Sequence, residues 1–180
     1  MCYLLKNRLK LALNANEAKI IVKAKEGNIA IDGKVRKDVR YPVGFMDVLT
    51  ILKTGAHYRV LYDVKGRFDL VKISANEAET KLCRVKERLM GPKNIPYIVT
   101  HDGRTIRFPN PQIKKGDTIK LNLKDHSISN VYKFENEALV MITGGNNIGR
   151  IGKINKIETH PSSYDIIYVT DSRNNVFNTR

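Results

Sequence analysis

The strongest constraint on this chain is its punctuation. Asp32-Gly33, Lys65-Gly66, Asp102-Gly103, Gly116-Asp117 and Gly144-Gly145 cut it into short runs. Such pairs favour tight turns, because glycine and aspartate tolerate the backbone conformations that a reversal needs. Between the turns, apolar and polar residues alternate: Ile29 and Ile31, then Tyr58, Val60 and Tyr62, then Phe68 and Leu70, Cys83 and Val85, and Ile119, Leu121 and Leu123. That period puts the apolar side chains on one face of a sheet. Phe68, Phe108 and the tyrosines fall into the same spacing and are expected to pack in the core. A further strand is expected from Phe45 to Ile51. The beginning of the chain departs from this pattern. Leu5, Leu9, Ala12 and Leu13 recur at helical spacing and predict a short helix ending near Asn14. Ala18, Ile21 and Val22 predict a second, capped by Asn16 and stopped by Gly27. Ser74 with Glu77 forms a capping box for one more short helix, which does not extend far beyond Lys81. The expected fold class is α+β, mostly β.

At 180 residues the chain is long for one small core. The expected organisation is a two-helix and hairpin unit over residues 1–55, a β-rich unit over 56–125 and a small barrel over 126–180. The formal charge is +14, from 32 Lys and Arg against 18 Asp and Glu. A surplus of this size repels itself unless an anion neutralises it, so the expected partner is a polyanion. A membrane surface is not that partner, since no basic amphipathic helix carries bulky apolar anchors and no apolar run approaches 18 residues. Tyr3, Leu4 and Leu5 run straight into Lys6 and Arg8, unlike a secretory leader. Cys2 and Cys83 have no close partner, which indicates a reducing compartment. His57, His101, His126 and His160 are scattered, so no metal site, cofactor or small-molecule substrate is expected.

The charge is concentrated in the first two thirds. Residues 1–55 carry a net +6, residues 56–125 a net +7 and residues 126–180 only +1. In the first third, Lys6, Arg8 and Lys10 occupy the polar positions of the first expected helix. Lys19, Lys23 and Lys25 follow on the second, close to Lys34, Arg36 and Lys37 at the hairpin. Several cations on one surface suit phosphate positions on an RNA backbone, where shape matters more than base edges. In the middle third, Arg84, Lys86 and Arg88 alternate with Cys83 and Val85. The three cations are therefore expected on an outward, RNA-facing side, with the cysteine and valine packed inward. Arg104 and Arg107 are further candidates.

The last third must contribute by geometry. Thr143-Gly144-Gly145-Asn146-Asn147 leads into Ile148, Gly149, Arg150, Ile151, Gly152 and Lys153. A phosphate-binding nucleotide loop would need Ser or Thr after Gly152-Lys153, where Ile154 stands, and the spacing of a dinucleotide fingerprint is absent. Glycines that let a strand bend and another backbone approach closely fit better. Backbone donors from Gly144 to Asn147, including Asn146, can form an anion-holding concavity, with Arg150 and Lys153 beside it. Both cations are expected to be exposed.

Gly145 to Ile157 resembles the KOW motif, a strand-loop-strand of SH3-like barrels. Lys6 to Leu13, Lys34 to Arg40, Tyr41-Pro42 with Gly44 to Val48, Tyr62-Asp63 with Lys65 to Phe68, Val99 to Thr105, and Thr143 to Ile154 are together closely similar to small-subunit ribosomal protein four of the eukaryotic and archaeal type. The resemblance spans essentially the whole chain. It implies a non-enzymatic structural constituent of the cytosolic small ribosomal subunit, bound to small-subunit rRNA and neighbouring small-subunit proteins. RNA contacts are implied at Glu17 to Lys25, at Ile29 to Arg36 and at Gly144 to Lys153. The family's basic N-terminal extension and C-terminal tail have no counterpart here, so the chain is expected to be shortened at both ends. A KOW-type regulator of translation or transcription outside the ribosome is the alternative, while a modifying enzyme would need an acidic residue in a catalytic domain that this chain lacks.

Overall fold

Antiparallel pairing organises the computed structural model, which describes residues 1–180. The first sheet contains β1 (Ile29–Ile31), β2 (Lys34–Val35), β3 (Val48–Ile51), β4 (Ala56–Tyr62) and β5 (Phe68–Ile73), in the order β2-β1-β3-β4-β5. The second contains β6 (Thr80–Met90), β7 (Pro96–Thr100), β8 (Thr105–Arg107), β9 (Thr118–Asn122) and β10 (Ile128–Tyr132), in the order β10-β9-β6-β7-β8. The third is a meander of β11 (Leu139–Met141), β12 (Ile151–Glu158), β13 (Ile166–Asp171) and β14 (Val176–Thr179). The expected α+β, mostly β, class is therefore present.

The chain forms two compact units. Residues 1–61 and 68–131 make the first, and residues 62–67 and 132–180 the second. In the first unit, Leu5, Val22, Ile29, Leu49 and Val60 form one core, while Cys83, Val85, Ile98, Ile113, Ile119 and Leu121 form another.

The opening segment differs from its expected form. A π-helical turn covers only Leu4–Arg8, and Lys10 has φ +53°, so the chain leaves helical geometry before Leu13. Helix α1 runs from Ala15 to Lys23, so Asn14 and not Asn16 occupies its N-cap. The Asn14 side chain makes no cap bond; instead the Glu17 carboxylate accepts from the Leu13 amide at 2.7 Å. The helix ends before Gly27, with Ala24 as C-cap. Strand β3 starts at Val48 instead of Phe45, because Met46 has φ +67° and the Asp47 amide closes a turn onto the Gly44 carbonyl. The Ser74–Glu77 capping box forms as expected and opens helix α2 (Ala75–Ala78).

Candidate nucleic-acid interface

Helix α1 buries Ala18 and Val22, four residues apart, which puts Lys19 and Lys23 on its exposed side. Beyond its end, the Lys37 ammonium donates to the Lys25 carbonyl at 3.1 Å. The Arg36 amide donates to the Ile29 carbonyl at 3.0 Å, fixing the exit of the β1–β2 hairpin. Helix exit and hairpin exit are thus tied together, bringing Lys25 and Lys37 to one place with Lys34 exposed on the hairpin. The Arg36 guanidinium lies 4.5 Å from the Tyr41 ring centroid, a cation–π contact that orients it. Its Nε, like Nε and Nη2 of Arg8, is shielded from solvent and has no acceptor in the fold. Lys10 is exposed on the turn after the π-helical segment.

Strand β6 keeps the expected alternation through its first half. Cys83 and Val85 are buried, and Arg84 and Lys86 are exposed. A bulge between Val85 and Glu87 then shifts the register, so Arg88 pairs with Ile98 and Ile98 with Ile106. Directly paired residues share a sheet face, so Arg88 lies on the side of buried Ile98 and not beside Arg84 and Lys86. Its Nη1 donates to the Pro111 carbonyl at 3.0 Å. The extra residue of the bulge is what separates Arg88 from the expected row. Arg107 is exposed at the end of β8, paired with Tyr97.

Arg104 is held within the fold. Its Nε donates to Asp102 at 2.8 Å and its Nη2 to Asp32 at 2.7 Å, and its side chain is only 27% exposed. It belongs to a cluster around Lys81, which is 1% exposed and donates to Asp47 at 2.6 Å, Asp32 at 2.9 Å and Asp102 at 3.0 Å. Thr100 also donates to Asp102. Burial alone would push the Lys81 ammonium down, but Asp32 and Asp47 outweigh it and hold it well above the ordinary lysine value. Burial likewise pushes Asp102 up, and the Thr100 hydroxyl, Lys81 and Arg104 together hold it well below the usual carboxylate range. This cluster was not visible in the sequence, where Lys81 only marks the limit of the expected short helix.

Cys83, His101 and Asp102 approach one another closely enough to resemble a ligand set. Each is otherwise committed. Nδ1 of His101 accepts from the Arg84 amide at 3.2 Å, and Asp102 is ion-paired. Burial, followed by the Asp102 charge, pushes the Cys83 thiol up to about 12, which opposes the thiolate a metal needs. Native Cys83 is expected to react with a small disulfide reagent at least ~100-fold more slowly than in the urea-unfolded chain. Half-buried Cys2 serves as the internal reference, and equal native and unfolded rates at Cys83 would reverse the inward assignment of β6.

In the second unit, the loop from Thr143 to Arg150 closes by donation from the Gly149 amide to the Ile142 carbonyl at 2.8 Å and from the Ile142 amide to the Arg150 carbonyl at 2.9 Å. The amides of Gly144 to Asn147 make no backbone bond within it. Asn146 and Lys153 are exposed. Arg150 differs from expectation: its guanidinium lies 3.8 Å from the Phe177 ring centroid, and Nη1 donates to the Asn147 carboxamide at 3.1 Å. Asn147 in turn donates to the Asn178 carbonyl at 3.2 Å. An aromatic face in the same small unit captures the arginine, which is therefore half-buried. Gly149 and Gly152 are sites of close approach. A Cβ on Gly149 (φ +81°) would fall on the Asp63 carbonyl and 2.9 Å from the Val64 nitrogen, and one on Gly152 would fall on the Thr170 carbonyl.

A sequence model of the ribosomal S4e family matches residues 54–128. The small ribosomal subunit protein eS4 of Ixodes scapularis is 52% identical over 177 residues, covering 98% of this chain and 67% of that protein. The eS4 protein of Bombyx mori is 53% identical over 176 residues, covering 66% of its length. The chain thus spans about two thirds of the length of these relatives. The crystal structure of the 30S ribosomal protein S4e from Thermoplasma acidophilum superimposes with a TM-score of 0.82 at 31% identity, covering 98% of this chain and 88% of that one.

Proposed function

The chain belongs to the ribosomal S4e family, and on that premise we propose that it is a structural constituent of the cytosolic small ribosomal subunit that binds and stabilises small-subunit rRNA. One observation carries the reading beyond the family name. The helix and hairpin exits of the first unit are joined through Lys37 and Lys25, Lys19, Lys23 and Lys34 are exposed on that helix and hairpin, and the same unit carries Arg8 and Arg36. That arrangement asks for phosphate. Charge partition agrees with it: the first unit carries 24 Lys and Arg against 12 Asp and Glu, and the second 8 against 6. RNA binding is therefore assigned mainly to the first unit, through Lys10, Lys19, Lys23, Lys25, Lys34, Lys37, Arg84, Lys86 and Arg107 in addition to the two arginines. The second unit adds Asn146 and Lys153, with the rest of its surface left to neighbouring small-subunit proteins. The role assigned to the chain is binding and not chemistry: of the turn aspartates Asp63 and Asp102, the first accepts from the Val64 amide and the second is ion-paired with Lys81 and Arg104.

Replacing Lys19, Lys23 and Lys34 together with alanine is expected to weaken rRNA binding without changing the melting temperature. If each meets a phosphate, the slope of log affinity against log salt falls by roughly 0.9 per lost contact on duplex RNA. An unchanged slope with unchanged affinity would mean that the lysines are only solvated. Recovery of the chain with small-subunit rRNA after a high-salt wash tests assembly itself.

A further inference from the structure

We propose that the groove between strands β8 and β10 receives one unstacked base of the bound RNA, with Phe108 as its stacking face. This deepens the RNA-binding reading and rests on it.

Phe108 is the aromatic that sequence spacing assigns to the core, yet it is 70% exposed. Its backbone has φ +53°, a region that bulky side chains rarely occupy, and Pro109 restricts it further. Donation from the Phe108 amide to the Pro96 carbonyl at 2.9 Å holds it there. A strained residue whose side chain gains nothing from burial points to a use outside the fold.

The surroundings specify the use. Strands β8 and β10 are the two unpaired edges of the second sheet, and both line an open groove of about 540 Å³. Half-buried Ile106 supplies apolar surface, and Asn110 and Asn130 line the groove with it. Each asparagine already uses its carboxamide oxygen, accepting from the Gln112 amide at 3.0 Å and the Val131 amide at 2.8 Å. Their amide nitrogens are the donors that remain, matching the carbonyl and ring-nitrogen acceptors of a base edge. Arg88, turned to this side by the β6 bulge and bonded at Pro111, brings positive charge for the adjoining phosphates. A flat hydrophobic face, edge donors and a flanking cation are the elements of single-strand recognition.

The test measures binding of the full chain to a fluorescein-labelled single-stranded RNA of mixed sequence and to a duplex of equal length. Phe108→Ala is expected to lower single-strand affinity roughly 5- to 100-fold and leave duplex affinity unchanged. Phe108→Tyr retains binding, and Phe108→Leu, which keeps the apolar surface but lacks a π face, does not. Phe108→Gly relieves the backbone strain and keeps the melting temperature at or above that of the parent chain. Unchanged single-strand affinity in Phe108→Ala overturns the proposal. So does full retention in Phe108→Leu, which would indicate an apolar protein pocket as the occupant. So does a lowered melting temperature in Phe108→Gly, which would make Phe108 structural. Absence of any RNA binding by the parent chain would instead remove the broader RNA-binding reading.

Discussion

Lys81→Met is expected to lower folding stability by about 3–5 kcal/mol near neutral pH, because it leaves three buried or half-buried carboxylates without their shared cation. Methionine keeps an unbranched apolar stem, so the loss reports charge and hydrogen bonding more than packing. The effect has a pH signature. In the parent chain Asp102 is held below its unfolded value, so it contributes stability above about pH 4 that is lost as the pH falls through its folded value. In the variant Asp102 keeps Thr100 and Arg104 but loses Lys81, so less of this acid-sensitive stability is there to lose. The deficit relative to the parent is therefore expected to shrink as the pH falls below about 4. Urea denaturation at pH 7 and in mild acid measures it. A variant as stable as the parent at pH 7, or a deficit that grows on acidification, would show that the cluster is not held by Lys81. The loss should be global within the first unit, since the cluster links the β1–β2 turn and the start of β3 to β6 and the β7–β8 turn.

Gly149→Val is the second large effect, with an expected loss of about 3 kcal/mol or more. The left-handed backbone is strained for a β-branched residue, at roughly 1–2 kcal/mol. Overpacking against the backbone of Asp63 and Val64 adds about 1–3 kcal/mol. Gly152→Val should also destabilise, by collision with the Thr170 carbonyl and the Val169 side chain. Gly144→Ala is the matched control. Nothing lies within 4 Å of its added Cβ, so its melting temperature should stay close to that of the parent. Equal melting temperatures for Gly144→Ala and Gly149→Val would refute the close-approach explanation. Arg150→Ala is also expected to lower stability, because the guanidinium rests on Phe177.

What the sequence made legible was whatever depends on neighbours along the chain. The Ser74–Glu77 box, the inward Cys83 and Val85 and the turn pairs all follow from local chemistry. Features made by distant residues did not. The Lys81 cluster draws on positions 32, 47, 81, 102 and 104, and a lysine in an alternating run carries no mark of burial. The β6 bulge adds one residue against β7 and moves Arg88 to the other face, which no period-two pattern can anticipate. Strand β10 carries no period-two signal, because the two residues it packs on the second core, Ile128 and Val131, are three apart. Phe108 keeps the spacing of a strand that ends one residue earlier, at Arg107, so its side chain leaves the core.

Residues 62–67 belong to the same compact unit as residues 132–180, although strands of the other unit flank them. The Asp63 carbonyl that Gly149 approaches is therefore synthesised long before Gly149 itself. At about 5–20 residues per second, translation takes roughly 4–17 seconds to travel from one to the other. The hairpin from β4 to β5 can close locally in microseconds, so its turn can be in place well before β12 emerges. Completion of the C-terminal unit is thus a late docking event onto an early template. A nascent chain halted before residue 149 would display that turn unmatched.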